Sequence, residues 1–181
     1  GFEDEVGTFL RLISVIYPNG NVSIVSDTWD FWNVINPQGG ILTTLKEQIM
    51  ARDGKVVIRP DSGDPVKIVT GYTEDEIIRK DDKVYDLVPD GIYFKAGKEL
   101  TENEVKGMIV CLWEIFGGTV SSTGFKQLDS HIGAIYGDSI TLERATQICE
   151  RLASKGFAST NLVYGIGSFT YQGAIDKDAI I

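Results

Sequence analysis

Apolar residues recur at Val6, Phe9, Leu10, Ile13, Ile16 and Tyr17, the spacing of one helix face, and the pattern stops at Pro18-Asn19-Gly20. The β-branched run from Val22 to Val25 predicts a short strand. Ser26-Asp27-Thr28 behind it offers N-cap chemistry for a helix through Trp29 to Asn36. A further helix is expected from Leu42 to Arg52, broken by Asp53-Gly54 before a second strand over Lys55 to Ile58. From Gly71 to about Leu100 the chain turns charged. There Val84 to Val88 and Ile92 to Lys95 flank Pro89-Asp90-Gly91, a hairpin signal, and the region reads as a solvated excursion.

Thr101-Glu102-Asn103-Glu104 is a capping box, and Val105, Met108, Ile109, Leu112 and Phe116 continue it as one helical stripe ending at Gly117-Gly118. After a loop with Ser121, Ser122 and Gly124, Ile132 to Tyr136 predicts a buried strand. Leu142, Ala145, Ile148, Cys149 and Leu152 predict a helix closed by Gly156, and Leu162 to Tyr164 a last strand. Short apolar strands alternating with helices imply parallel pairing through right-handed crossovers. The expected fold class is α/β: one domain over residues 1–181, with its excursion at about 71–100.

Composition narrows the function. At 181 residues and 43% hydrophobic content the chain can bury a core. A net charge of −9 argues against binding nucleic acid or an anionic membrane, which need a basic face. Cys111 and Cys149 stand in apolar stretches without metal-ligand spacing and read as buried free thiols, which suits the cytoplasm. No stretch approaches the roughly 20 apolar residues of a membrane helix, and no basic-then-apolar leader opens the chain. Gly1 stands where a Met would, directly before a helical pattern, so the sequence reads as beginning inside a larger domain.

The candidate chemistry follows the strands. Ser26-Asp27-Thr28 comes after the first, Arg59-Pro60-Asp61-Ser62-Gly63 after the second, Gly137-Asp138-Ser139 after the third and Gly165-Ile166-Gly167-Ser168 after the fourth. In parallel α/β folds such ends share one edge, where sites are placed. The inventory suggests a sugar phosphate. Gly165 and Gly167 allow a backbone nest for phosphate, or form only a tight connection. Asp138 either accepts from ribose hydroxyls or caps the helix starting near Thr141. Arg59 offers a planar cation for stacking on a ring, with Asp61 facing cationic character or a metal; the alternative is an arginine–aspartate pair stiffened by Pro60, with Gly63 completing a turn. His131, the sole histidine, falls at a strand start on the opposite edge and reads as structural. Trp29, Trp32 and Trp113 read as core or interface aromatics.

Residues 22–27 (VSIVSD), 57–65 (VIRPDSGDP), 134–138 (AIYGD) and 162–168 (LVYGIGS) resemble, in order and spacing, the nicotinamide phosphoribosyltransferase family. RPDSG is the most specific of these; the related nicotinate enzymes look similar there, with another residue in place of the proline. The resemblance reaches about Gln172, matches the excursion poorly and stops before Gly173 to Ile181.

It implies a type II phosphoribosyltransferase, an irregular (β/α) barrel with parallel strands, acting as a cytoplasmic homodimer in NAD salvage. The family's reaction joins nicotinamide to phosphoribosyl pyrophosphate, giving nicotinamide mononucleotide and pyrophosphate. By the resemblance Arg59 stacks on the nicotinamide ring, and Arg59 and Asp61 are the catalytic residues. Asp27 and Asp61 lie near the ribose and the pyrophosphate-bound Mg2+. Gly137 and Asp138 hold the ribose hydroxyls, Gly167 and Ser168 the 5′-phosphate, and Ser62, Gly63 and Gly165 complete the substrate site. Ser168 stands where some relatives carry glycine.

A histidine phosphorylated by the activator ATP, and an acidic residue that reads the amide, are expected upstream of Gly1. A Thr-Arg-Asp stretch is expected after Gln172. Without these parts the 181 residues alone are expected to be inactive. The resemblance fits the chemistry, because displacement at the anomeric carbon passes through a cationic state that nearby carboxylates stabilise. The rival readings are a nicotinate or quinolinate phosphoribosyltransferase, a non-catalytic nucleotide-binding α/β domain, or a piece whose partner supplies the other barrel strands. The excursion and the absence of G-x-G-x-x-G after the first strand count against the second.

Overall fold

The computed structural model describes residues 1–25, 30–60, 63–137 and 140–164. Helix α1 (Phe2–Arg11) opens the chain with Glu3, Asp4 and Glu5 at its positive end and runs into a π-helical turn over Leu12–Ile16. Phe9 and Ile13 are buried as the stripe predicts, but the extra residue in the π turn rotates Ile16 and Tyr17 outward into solvent. Arg52 secures this turn. Its guanidinium donates to the carbonyls of Ile13, of Tyr17 at 2.6 Å and of Gly20 at 3.0 Å.

Strand β1 (Val22–Val25) lies where its β-branched run places it. The next helix starts later than expected. Helix α2 (Phe31–Val34) is capped by Asp30, whose carboxylate accepts from the Asn33 amide, and Ser26 to Trp29 lie outside the described residues. The single helix expected over Leu42 to Arg52 is instead α3 (Ile41–Thr44) and α4 (Lys46–Met50), separated at Leu45. Both bury apolar residues, so the periodicity survives while the hydrogen-bond ladder does not. Strand β2 (Val56–Arg59) follows, then α5 (Pro65–Thr70), with Asp64 as its cap and Pro65 in its first turn.

The excursion is a three-stranded antiparallel sheet of β3 (Ile77–Lys80), β4 (Lys83–Asp90) and β5 (Tyr93–Leu100). Its hairpin turns at Gly91-Ile92, with Asp90 paired to Tyr93, so Pro89 and Asp90 belong to the strand. The excursion is more than a solvated loop. Ile77, Val84, Leu100 and Val105 form a small core of their own.

The chain returns through α6 (Glu102–Lys106) and α7 (Met108–Phe116). The capping box forms: the Glu104 amide donates to Thr101 Oγ1 at 3.2 Å, and the Thr101 amide to Glu104 Oε2 at 2.7 Å. The stripe predicted as one helix is nevertheless cut at Gly107, where φ is +84°. A Cβ there would sit 2.6 Å from the Thr70 carbonyl carbon and 2.9 Å from Gly71 Cα, so two backbones touch and only glycine fits.

A short hairpin of β6 (Gly118–Val120) and β7 (Lys126–Leu128) precedes β8 (Ile132–Tyr136), α8 (Leu142–Ser154) and β9 (Leu162–Tyr164). Cys111 is a buried free thiol, pushed up to about 12 chiefly by burial. Cys149 is only half-buried, its Sγ 3.4 Å from Tyr164 Oη, because its position on α8 lies at the margin of the core.

Four strands form the main sheet in the order β1, β2, β8, β9, all parallel, as the alternation predicts. Val22, Ile24, Val56, Ile58, Ala134, Tyr136 and Leu162 bury one face under the helices. The other face is open: Ser23 is exposed, Val57 and Ile135 are half-buried, and Val163 is 59% exposed. The sheet does not close into a barrel among the described residues. Among those residues, too, no helix is long and apolar enough to cross a membrane.

Candidate active site

Parallel register brings the strand ends to one edge. Val25 lies opposite Arg59, Ile58 opposite Ala134 and Tyr136 opposite Tyr164. Residues remote in sequence therefore meet where the four strands stop.

Arg59 is the last residue of β2, half-buried and pointing with Val57 away from the helix-covered core. Its guanidinium lies against the chain at Gly137, just past β8. A Cβ built on Gly137 would fall 2.6 Å from Arg59 Nε and 2.7 Å from Cζ. Gly137 thus clears the space the guanidinium occupies. Two of the predicted site residues, from two neighbouring strands, are brought together.

Gly63 is the third predicted residue within the described set. Its φ of +94° suits glycine alone, and a Cβ would meet Ile68 Cδ1 at 2.7 Å. Its carbonyl accepts from Tyr136 Oη at 3.2 Å, so Gly63 is tied to the end of β8. Asp64 next to it is committed to helix capping, its Oδ1 accepting from the Val66 amide at 3.0 Å. Asp27, Asp61, Ser62, Asp138, Gly165, Gly167 and Ser168 lie outside the described residues. Thr141 caps α8, its Oγ1 accepting from the Arg144 amide at 3.2 Å, so the capping role weighed for Asp138 belongs to Thr141.

Next to α5 lies a charged cluster absent from the sequence reading. Glu76, ahead of β3, accepts a forked pair of hydrogen bonds from Arg151 of α8, at 2.7 and 2.8 Å. Lys67 of α5 lies 2.5 Å from the same carboxylate. Burial alone would raise the Glu76 pKa, but the bonds from Arg151, Lys67 and the Thr73 amide outweigh it and hold the carboxyl well below the usual range. Arg151 also donates to Thr70 Oγ1 at 2.8 Å and to the Gly71 carbonyl at 2.7 Å, fastening α5 and the start of the excursion to α8. A cavity of about 260 Å³, lined by Trp32, Asp64, Lys67, Tyr72 and Glu104 among others, shares only Gly63 with the predicted set.

His131 sits just before β8, at the far edge, with Nδ1 2.6 Å from Asp129 Oδ1, in keeping with a structural part. Trp113 and Trp32 pack against the core, and Trp29 lies outside the described residues. Two further positions, Asp64 and Tyr136, escaped the sequence reading. The Asp64-Pro65 pair was a legible cap signal. Tyr136 was not, since a tyrosine in a buried strand does not announce where its hydroxyl goes.

Residues 10–179 match the sequence model of the nicotinate phosphoribosyltransferase (NAPRTase) family. The chain is 47% identical over 176 residues to the nicotinamide phosphoribosyltransferase of Acinetobacter baylyi, covering 94% of this chain and 30% of that protein. It is 36% identical over 180 residues to the protein of that name from Mycoplasma pneumoniae, covering 99% and 34%. The one from Xanthomonas campestris pv. campestris is 30% identical over 179 residues, covering 98% and 30%. The chain therefore spans about a third of the length of the curated relatives it matches. With matched residues running across the strand-end edge that holds Arg59 and Gly137, the chain belongs to the nicotinate phosphoribosyltransferase family.

Proposed function

We propose that the full-length protein is a nicotinamide phosphoribosyltransferase. In this reaction the ring nitrogen of nicotinamide forms a bond to the anomeric carbon of phosphoribosyl pyrophosphate, while the bond from that carbon to pyrophosphate breaks. The products are nicotinamide mononucleotide and pyrophosphate. The observation that carries the reading is the contact of Arg59 with Gly137 across two strand ends, in a chain whose relatives bear that enzyme's name.

Arg59 stacks its planar guanidinium on the pyridine and fixes the angle of the attacking nitrogen. Gly137 and Asp138 hold the ribose hydroxyls, and Gly165, Gly167 and Ser168 receive the 5′-phosphate through backbone N–H groups. Asp27 and Asp61 face the ribose, where positive charge develops as the leaving group departs. Ser62 and Gly63 complete the wall on the β2 side.

Carboxylates are also the hard oxygen donors that Mg2+ takes, and Asp27 and Asp61 each follow a register-paired residue, Val25 and Arg59, by two positions. Mg2+ bound to pyrophosphate supplies neutralisation of the leaving group's charge. Among the described residues no group of three or more His, Cys, Asp or Glu is placed to hold a metal. The family resemblance further supports ATP as activator, a role in NAD salvage, the cytoplasm, and a homodimeric irregular barrel to which this whole stretch, excursion included, contributes one part.

The name of the matching family favours a second reading, in which nicotinate is the substrate. Incubating the full-length protein with phosphoribosyl pyrophosphate, Mg2+ and nicotinamide, nicotinate or quinolinate in competition separates the two. Nicotinamide mononucleotide is the expected main product; preference for nicotinate selects the second reading, and no mononucleotide from any pyridine sinks both. The 181-residue stretch alone is expected to form none, in keeping with its share of the relatives' length and the open face of its sheet.

A further inference from the structure

We propose that Tyr136 is a positioning residue for the substrate site, holding Gly63 in place through its phenol hydroxyl. The inference rests on the phosphoribosyltransferase reading above. Tyr136 is the last residue of β8 and lies on the helix-covered face, 3% exposed. A buried phenol needs a hydrogen-bond partner, and here it donates to the Gly63 carbonyl at 3.2 Å. That one bond joins two segments that are far apart in the chain and both part of the proposed site.

Gly63 has little freedom on its other sides. It adopts a left-handed φ, and Ile68 fills the space beside it. Asp64, the following residue, is locked into capping α5. At the near end of the loop, Arg59 is fixed by strand pairing and lies against Gly137. Gly63 and Arg59 are therefore held by the adjacent residues Tyr136 and Gly137. Tyr136 reaches no reacting atom; it acts through Gly63.

The test is Tyr136→Phe in the full-length protein, since phenylalanine keeps the strand buried and removes only the hydroxyl. Small misplacements of positioned groups cost far more in turnover than in binding, so kcat should fall about tenfold while the KM for phosphoribosyl pyrophosphate stays within about twofold. Hydrogen exchange at the amides of Gly63 and Asp64 should quicken. Wild-type kcat overturns the proposal, and does so even if exchange quickens, because the bond is then purely structural. Unchanged exchange at the loop overturns it as well, as does a loss of activity matched by a loss of folded protein. A wild-type protein that forms no mononucleotide from any pyridine overturns the functional reading instead, before the variant is compared.

Discussion

The guanidinium of Arg59 lies against Gly137, so the end of one strand holds the space that the end of its neighbour leaves empty. A methyl group at position 137 would meet the far end of a flexible side chain, which can swing away at little cost to folding. Activity should therefore suffer more than stability.

Gly137→Ala in the full-length protein is expected to lower kcat/KM on the order of 10²-fold, with a melting temperature close to wild type. Arg59→Lys should not substitute for the native residue, because an ammonium lacks the planar face. Steady-state kinetics beside thermal melting decide the matter, and an Ala variant with full activity would mean that Arg59 does not need its present place.

Glu76 links acid stability to the fastening of α5 and the excursion to α8. Its folded pKa lies below the ordinary glutamate value of 4.5. The native state therefore binds fewer protons than the unfolded chain just below that value. Its contribution is fully present above about pH 5 and is lost as pH falls towards the folded pKa. Glu76→Gln should cost roughly 1–3 kcal/mol at neutral pH, a range set for hydrogen bonds to charged groups; Glu76 and Arg151 remain 25% and 19% exposed, which tempers it. Urea midpoints from pH 7 to pH 3 should converge for the two proteins; parallel curves would show that Glu76 does not carry the pH dependence.

Gly107 should tolerate no side chain. Its φ of +84° and the backbone of residues 70 and 71 act together, so Gly107→Ala is expected to destabilise by roughly 2–4 kcal/mol. Denaturant unfolding of the full-length protein measures this directly. A loss below about 1 kcal/mol, no more than the left-handed conformation alone costs, would mean that the two backbones can part.

The strands of the main sheet were legible because parallel strands buried on a face read as short apolar runs between turn residues. β3 was not, since Ile77 to Lys80 carries two charges and three of its four residues face solvent. Nor were β6 and β7, three residues each. The break at Gly107 was invisible for a different reason: the apolar stripe keeps its phase across the cut, and only the contact with Gly71 dictates it. For the site, position after a strand was enough to single out Arg59 and Gly137. The bond from Tyr136 to Gly63 joins residues 73 apart in the chain, which no local spacing encodes.

Gly71 and Gly107 have one more consequence. The chain departs from the frame and rejoins it at a single point, where the Tyr72 amide donates to the Val105 carbonyl at 2.9 Å and Lys155 of α8 reaches the Lys106 carbonyl at 3.1 Å. An insert with coincident entrance and exit is a cassette. Its length beyond Glu76, which Arg151 and Lys67 hold to the frame, can change at an entropic cost that grows only slowly with size and without pulling on the strands that carry the chemistry.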